Sequence, residues 1–201
     1  MPQGTGRSED PYHFLDLAFG YYMTGRFAVL NRLYVGPNLM HHAVELLIKF
    51  SLLKDVPEAQ RSTETARIGQ TYKHNLNKLW KLYKQRIAPA DLSRFDQVIA
   101  DLDRWEKVRY GGFPTLGMGV AKAIGPVRAP ASTSRPTDVY VLGWDDVDDL
   151  IAAIFEASNI NPAYVGTGYS HTELREWYER ENKHVIRVCR TSSEANPSHI
   201  K

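Results

Sequence analysis

The sequence predicts an all-α protein, an antiparallel up-and-down bundle of four to five helices with a small β-ribbon or loop insertion and a C-terminal helical extension. Three observations carry that prediction. Apolar residues recur at helical spacing in several separate stretches, capping residues and short connections divide those stretches, and the strongest helix breakers are gathered in one place. Between Gly111 and Pro136 the chain holds five glycines and four prolines, which forbids a long helix there and nowhere else.

Residues 1–9 are small and polar and read as a disordered lead-in. Asp10-Pro11 supplies an N-cap followed by proline at the first helical position, so a helix is expected from Tyr12 until Gly36-Pro37 stops it. Phe14, Ala18, Tyr21, Tyr22, Ala28, Val29 and Leu33 give this first helix its apolar surface, and Gly20 and Gly25 would let another backbone approach closely. Asn38 is the expected cap of a second helix reaching about Lys54, and so short a connection makes the two helices antiparallel neighbours.

That second helix is the most informative stretch. At about 100 degrees per residue, Leu39, Ala43, Leu46, Leu47, Phe50 and Leu53 share one face while Val44, Ile48 and Leu52 spread over others. A helix apolar on so many sides must be covered on several of them. Yet His42, Glu45 and Lys49 fall within roughly 60 degrees of each other. Glu followed four residues later by Lys is a favourable pair even on an exposed helix, so a structural ion pair is the plain interpretation.

From Asp55 to Lys73 apolar periodicity nearly disappears, and a loop is expected, with at most a short helical turn around Glu58 to Ile68. His74-Asn75 precedes a third helix carrying Leu76, Leu79, Trp80 and Tyr83. Asp91 caps a fourth, with Leu92, Phe95, Val98, Ile99, Leu102 and Trp105 on one stripe. These helices define a bundle core over 10–110. Residues 111–143 form a Gly/Pro-rich connection, in which Gly117 to Ile124 and Val139 to Leu142 can pair as a two-stranded ribbon leaning on the bundle. Residues 144–190 then supply C-terminal helices. Asp145-Asp146 caps a fifth, with Val147, Leu150, Ile151, Ile154 and Phe155 inward and Pro162 ending it, and Ser170 to Glu173 matches a capping box for a last one. Residues 191–201 read as a disordered tail.

Composition narrows the function classes. A formal net charge of +2 with interleaved signs gives no strong field for nucleic acid or anionic lipid. The lone Cys189 excludes an internal disulfide, and with no signal peptide or membrane-length apolar run the expectation is a cytoplasmic protein with no membrane partner. No metal and no cofactor are expected. Adjacent His41 and His42 point about 100 degrees apart on a helix, too far to serve one ion, and no second cysteine stands by. Acids at 145, 146, 148 and 149 are explained by the dipole of the helix they open.

A long first helix, a second of the form His-Ala-Val-Glu-x-x-x-Lys, His-Asn-Leu opening the next, and Arg109-Tyr110 after the fourth together resemble the HEPN family of small helical-bundle proteins. The resemblance covers residues 12–110. Nuclease members of that family use an Arg and a His with four to six residues between them, near the last bundle helix, for attack by an RNA 2′-hydroxyl without metal. Here that spacing occurs at Arg7 with His13 and at Arg67 with His74, neither where the family puts it, while Arg109 continues Tyr110-Gly111-Gly112 with no His following. The chain therefore looks like the non-nuclease branch. That resemblance implies a non-enzymatic association protein accompanied by a nucleotidyltransferase in a toxin-antitoxin or defence pair, and a second helix apolar on more faces than one small bundle readily covers points to a homodimer. Its recurring residues match Glu45, Lys49, His74, Arg109 and Tyr110, which form either a structural network or a phosphate-binding pocket. A metal-independent endoribonuclease acting on RNA, and a nucleotide- or phosphate-binding bundle, are the alternative functions.

Overall fold

In the computed structural model, residues 10–30, 33, 35–87, 91–108, 121–124 and 140–161 are described. They are mostly helical, with six α-helices and two short strands. Helix α1 spans Tyr12–Leu30, α2 Gly36–Leu53, α3 Glu58–Tyr72, α4 Leu76–Arg86, α5 Asp96–Val108 and α6 Trp144–Ala157, and strands β1 and β2 are Ala121–Ile124 and Tyr140–Gly143. An all-α class follows.

Helix α1 begins as its cap predicts, the Asp10 carboxylate accepting the Tyr12 N–H at 3.0 Å. It ends at Leu30 rather than at Gly36, and Gly36-Pro37 opens α2 instead of closing α1. Proline's preset φ and missing N–H suit a first helical turn, so the pair is a start signal here, and Asn38 lies inside the helix instead of capping it. The two helices pack closely. A methyl group on Gly36 would overlap the Val29 side chain, and one on Gly25 would meet Leu39 Cβ at 3.3 Å, so hydrogen at these two positions sets the separation of α1 and α2. Gly20, expected to serve a similar approach, has nothing near it among the described residues.

Helix α2 is the centre of the described fold. It packs against α1, α3, α4, α5 and α6, and 13 of its 18 residues are buried, which is why its apolar side chains occupy more than one face. Each large side chain so enclosed contributes roughly 1.5–3 kcal/mol relative to exposure.

The loop expected over Asp55–Lys73 is instead α3, a helix of 15 residues with only Ile68 buried. Its Ala, Gln, Arg and Glu residues favour helix without marking an inward stripe. Arg67 makes two 2.6 Å bonds to Glu64, and Arg86 of α4 reaches the same carboxylate at 2.7 Å. Asn75 caps α4, its side chain accepting the Lys78 N–H at 2.9 Å. The Leu76 N–H donates to Asp103 of α5 at 2.8 Å, fixing the start of α4 against that helix. Asp91 does not cap a helix as expected: it accepts the Ser93 N–H at 2.9 Å ahead of a 3₁₀ turn, Ser93–Phe95, whose cap position is Leu92, and α5 follows from Asp96.

Strands β1 and β2 pair in the expected region, in parallel, with Ala121 opposite Tyr140 and Ile124 opposite Gly143. A parallel pair needs a crossover connection, so it is no simple hairpin. Gly143 rather than an aspartate stands at the cap of α6, and Asp145 and Asp146 occupy its first turn. The helix closes at Ala157, with Asn159 left-handed at φ 51°. The lead-in over 1–9, the Ser170 capping box, Pro162 and the tail over 191–201 lie outside the described residues.

Candidate functional site

Four polar side chains of α2 and its neighbours meet around one buried carboxylate. Glu45 sits mid-helix with its side chain 3% exposed. Its Oε1 accepts a 2.5 Å bond from Lys49 Nζ, one turn on. Its Oε2 faces three imidazoles: His74 Nδ1 at 3.3 Å, His41 Nε2 at 3.5 Å and His42 Nδ1 at 3.7 Å. The expected group Glu45, Lys49 and His74 is therefore brought together. Arg109 and Tyr110 lie outside the described residues.

The geometry follows from helix spacing. Residues 41 and 45 are one turn apart on the same face, so His41 lies over Glu45, and Lys49 lies one turn below it. His74 arrives from the segment before the Asn75 cap of α4, at the rim, with its side chain 62% exposed. His41, by contrast, is fully buried.

The expectation that His41 and His42 diverge too far to serve one point is overturned. One ligand-type atom from each of His41, His42 and Glu45 can be chosen so that all three lie within 4.8 Å of one another. The rings differ in which nitrogen they offer. His41 extends the far nitrogen, Nε2, and His42 the near one, Nδ1, and this difference in reach compensates for the 100-degree step along the helix.

The two imidazoles of α2 each have a neighbour on α5 at the other nitrogen. His41 Nδ1 is 3.1 Å from the Leu102 carbonyl of α5, an acceptor only, so this nitrogen carries the proton and donates it. His42 Nε2 lies 3.9 Å from Glu106 Oε2, also of α5. The Nε2 of His41 is left buried with no hydrogen bond. Burial works against ionising both central groups, but it does not win. The imidazoles of His41 and His42 and the ammonium of Lys49 hold the Glu45 carboxyl far below the usual carboxylate range. Glu45, the Leu102 carbonyl and the charge of Glu106 raise the pKa of His41 against its own desolvation.

Other sequence candidates have different surroundings. Arg67 is held by Glu64, and the described partner of His74 is Glu45. Arg7 is outside the described residues. Asp148 is not merely a helix-start acid. It is buried on α6, accepts the Tyr22 hydroxyl at 2.6 Å and pairs with Arg26 at 2.7 Å, both on α1. Glu106 and Arg26 were not singled out in the sequence, and His41 and Asp148 were weighed there but set aside, His41 as too divergent from His42 and Asp148 as a helix-start acid. For His41 a signal existed in its i, i+4 relation to Glu45. For the rest only tertiary packing supplies one.

With a carboxylate at its centre and imidazole nitrogens around it, the cluster can bind a proton or a cation. No family model matches this chain, and neither does any curated protein or solved structure. No described helix is long and apolar enough to cross a membrane.

Proposed function

We propose that this chain is a HEPN-like, non-enzymatic association protein whose helices form an antiparallel up-and-down bundle and whose homodimer is built on the outward face of α1. The observation that carries the reading is a symmetric pattern on that face. Leu17, Gly20, Thr24 and Phe27 are exposed and lie within roughly 80 degrees of each other around the helix axis. Their spacing is palindromic about Tyr22. In a two-fold antiparallel pairing of α1 with its copy, Leu17 meets Phe27 and Gly20 meets Thr24, large against large and small against small.

The polar cost of burying this face is small. Thr24 already donates its hydroxyl to the Gly20 carbonyl at 2.7 Å within the helix, which leaves its methyl group to face outward. Among the described residues nothing lies near Gly20, which leaves the space over it open to a second backbone. Leu17 at 40% and Phe27 at 44% exposure leave two large apolar side chains open on this face of α1. A nucleotidyltransferase in a toxin-antitoxin or defence pair is the second partner that the resemblance to the family implies.

Light scattering during size-exclusion chromatography tests the dimer. At micromolar concentration the wild-type mass should be twice that of one chain. Leu17→Glu and Phe27→Glu, both at exposed positions, should each reduce it to one chain with unchanged far-UV circular dichroism. A wild-type monomer at that concentration sinks the reading.

A further inference from the structure

We propose that His41 Nε2, His42 Nδ1 and Glu45 Oε2 are ligands of a divalent transition-metal ion of the zinc class, with His74, whose Nδ1 is 3.3 Å from the same oxygen, flanking the set at the exposed rim. The proposal is independent of the dimer.

The first argument is an orphaned atom. With the Nδ1 proton of His41 given to the Leu102 carbonyl, Nε2 faces a carboxylate oxygen 3.5 Å away and has no hydrogen-bond partner among the described residues. In the neutral ring two lone pairs then face each other in a fully buried place and repel unless something positive stands between them. His41 is entirely enclosed, so water does not relieve the contact.

The second argument is distance. Three imidazole nitrogens approach one and the same oxygen, Glu45 Oε2, at 3.3, 3.5 and 3.7 Å. Charge-assisted N–H···O bonds draw in to about 2.7–2.9 Å, and none of the three has done so. Two ligands each roughly 2.0–2.1 Å from a tetrahedral ion lie about 3.4 Å apart, the edge of the coordination polyhedron. The spread of the three separations brackets that edge. The ligand-type atoms of His41 and His42 lie within 4.8 Å of each other.

The third argument is the set of outer partners. A metal-bound histidine usually gives its other N–H to a carbonyl or carboxylate, which fixes its tautomer and orientation. His41 has the Leu102 carbonyl in that role, while Glu106 stands near His42 as a charge, 3.9 Å from Nε2 and not hydrogen-bonded to it. The remaining oxygen of Glu45 is held by Lys49, which leaves Oε2 as the one directed at the imidazoles. A mixed imidazole and carboxylate set of this kind suits zinc, cobalt or nickel better than magnesium or calcium, which prefer all-oxygen shells. An anion such as phosphate would have to sit against Glu45, whose ionised form the cluster favours.

The test is titration of tag-free protein with cobalt(II), followed by its visible d–d absorption, and then competition with zinc. One cobalt ion per chain, displaced by zinc, is expected. His42→Ala should abolish the bands. His74→Ala, at an exposed position that keeps the fold, should weaken binding by about tenfold or more. His13→Ala, at an exposed position on α1, should bind as the wild type does. Absence of bands in the wild type would mean that a proton alone bridges the cluster and would overturn the proposal. So would full-affinity binding by folded His42→Ala, because the ion would then sit on other histidines. Undiminished binding by His74→Ala would overturn the part assigned to His74 at the rim.

Discussion

The hydroxyl of Tyr22 donates to Asp148 Oδ1 at 2.6 Å, joining α1 to α6 across 126 positions of sequence, and the other oxygen of the same carboxylate pairs with Arg26 at 2.7 Å. Both charged side chains are about as buried as the apolar core, at 5% and 4% exposure. Removing the carboxylate leaves an enclosed guanidinium uncompensated, which costs far more than a surface pair would. Asp148→Ala should therefore destabilise the protein by about 3–5 kcal/mol. Tyr22→Phe deletes only one bond to a charged acceptor and should cost about 1.5–3 kcal/mol. Urea unfolding of the two variants checks the order, and equal losses would contradict it.

A second prediction concerns the contact of α1 with α2. Gly36→Ala places a methyl group onto Val29, with the Gly25 carbonyl and the Val29 backbone at 3.3 Å behind it. The backbone cannot move aside without separating the two helices. Overpacking of this sort should lower stability by about 1–3 kcal/mol. The double variant Gly36→Ala with Val29→Ala should recover part of the loss, because it removes the overlapping atom.

The helices were legible in the sequence wherever one side is buried against another element. Helices α2, α4, α5 and α6 each carry buried apolar residues at helical spacing, and Asn75 marks the start of α4 by the cap it forms. Helix α3 was not legible, because only Ile68 turns inward and periodicity has nothing to report. Gly36-Pro37 misled for a different reason: proline both ends and begins helices, and the choice is made by the packing of Gly36 on Val29. At the candidate site, Glu45, Lys49 and His74 were found from their residue types and order. His41 was missed because rotation about the helix axis locates a Cβ, not the ring nitrogen that its second hydrogen bond leaves exposed.

The pH dependence has one clear surface contributor. Arg67 and Arg86 hold the Glu64 carboxyl down to about 2, from 4.5. A depressed folded pKa means that the folded state binds a proton less readily than the unfolded chain. Its contribution is complete above pH 4.5 and is lost as pH falls towards about 2. Arg67 and Arg86 are 39% and 45% exposed, so solvent screens the pair and the effect is about 0.5 kcal/mol or less. Glu64→Gln should be less stable than wild type by that amount at pH 6, with the difference shrinking as pH drops below 4.5. A gap that widens in acid would contradict the assignment.

The pair of Glu45 and Lys49 distinguishes an enclosed ion pair from the ordinary helix-surface kind. On an exposed helix a Glu and a Lys four residues apart contribute about 0.3–0.5 kcal/mol. Here the side chains are 3% and 13% exposed, and Lys49 bonds Oε1, the oxygen turned away from the imidazoles. Lys49→Met keeps the length and apolar stem of the side chain and removes only its charge. The carboxylate then remains buried with imidazoles alone to stabilise it, and the loss should be about 3 kcal/mol or more. Glu45→Gln with Lys49→Met should be less damaging than the sum of the single changes, because no isolated charge is left behind. A double-mutant cycle measured by urea unfolding at neutral pH, with EDTA present throughout, reads this coupling directly. A coupling no larger than the surface value would show that water reaches Glu45, and the enclosure of the α2 stripe, on which the candidate site depends, would fall with it.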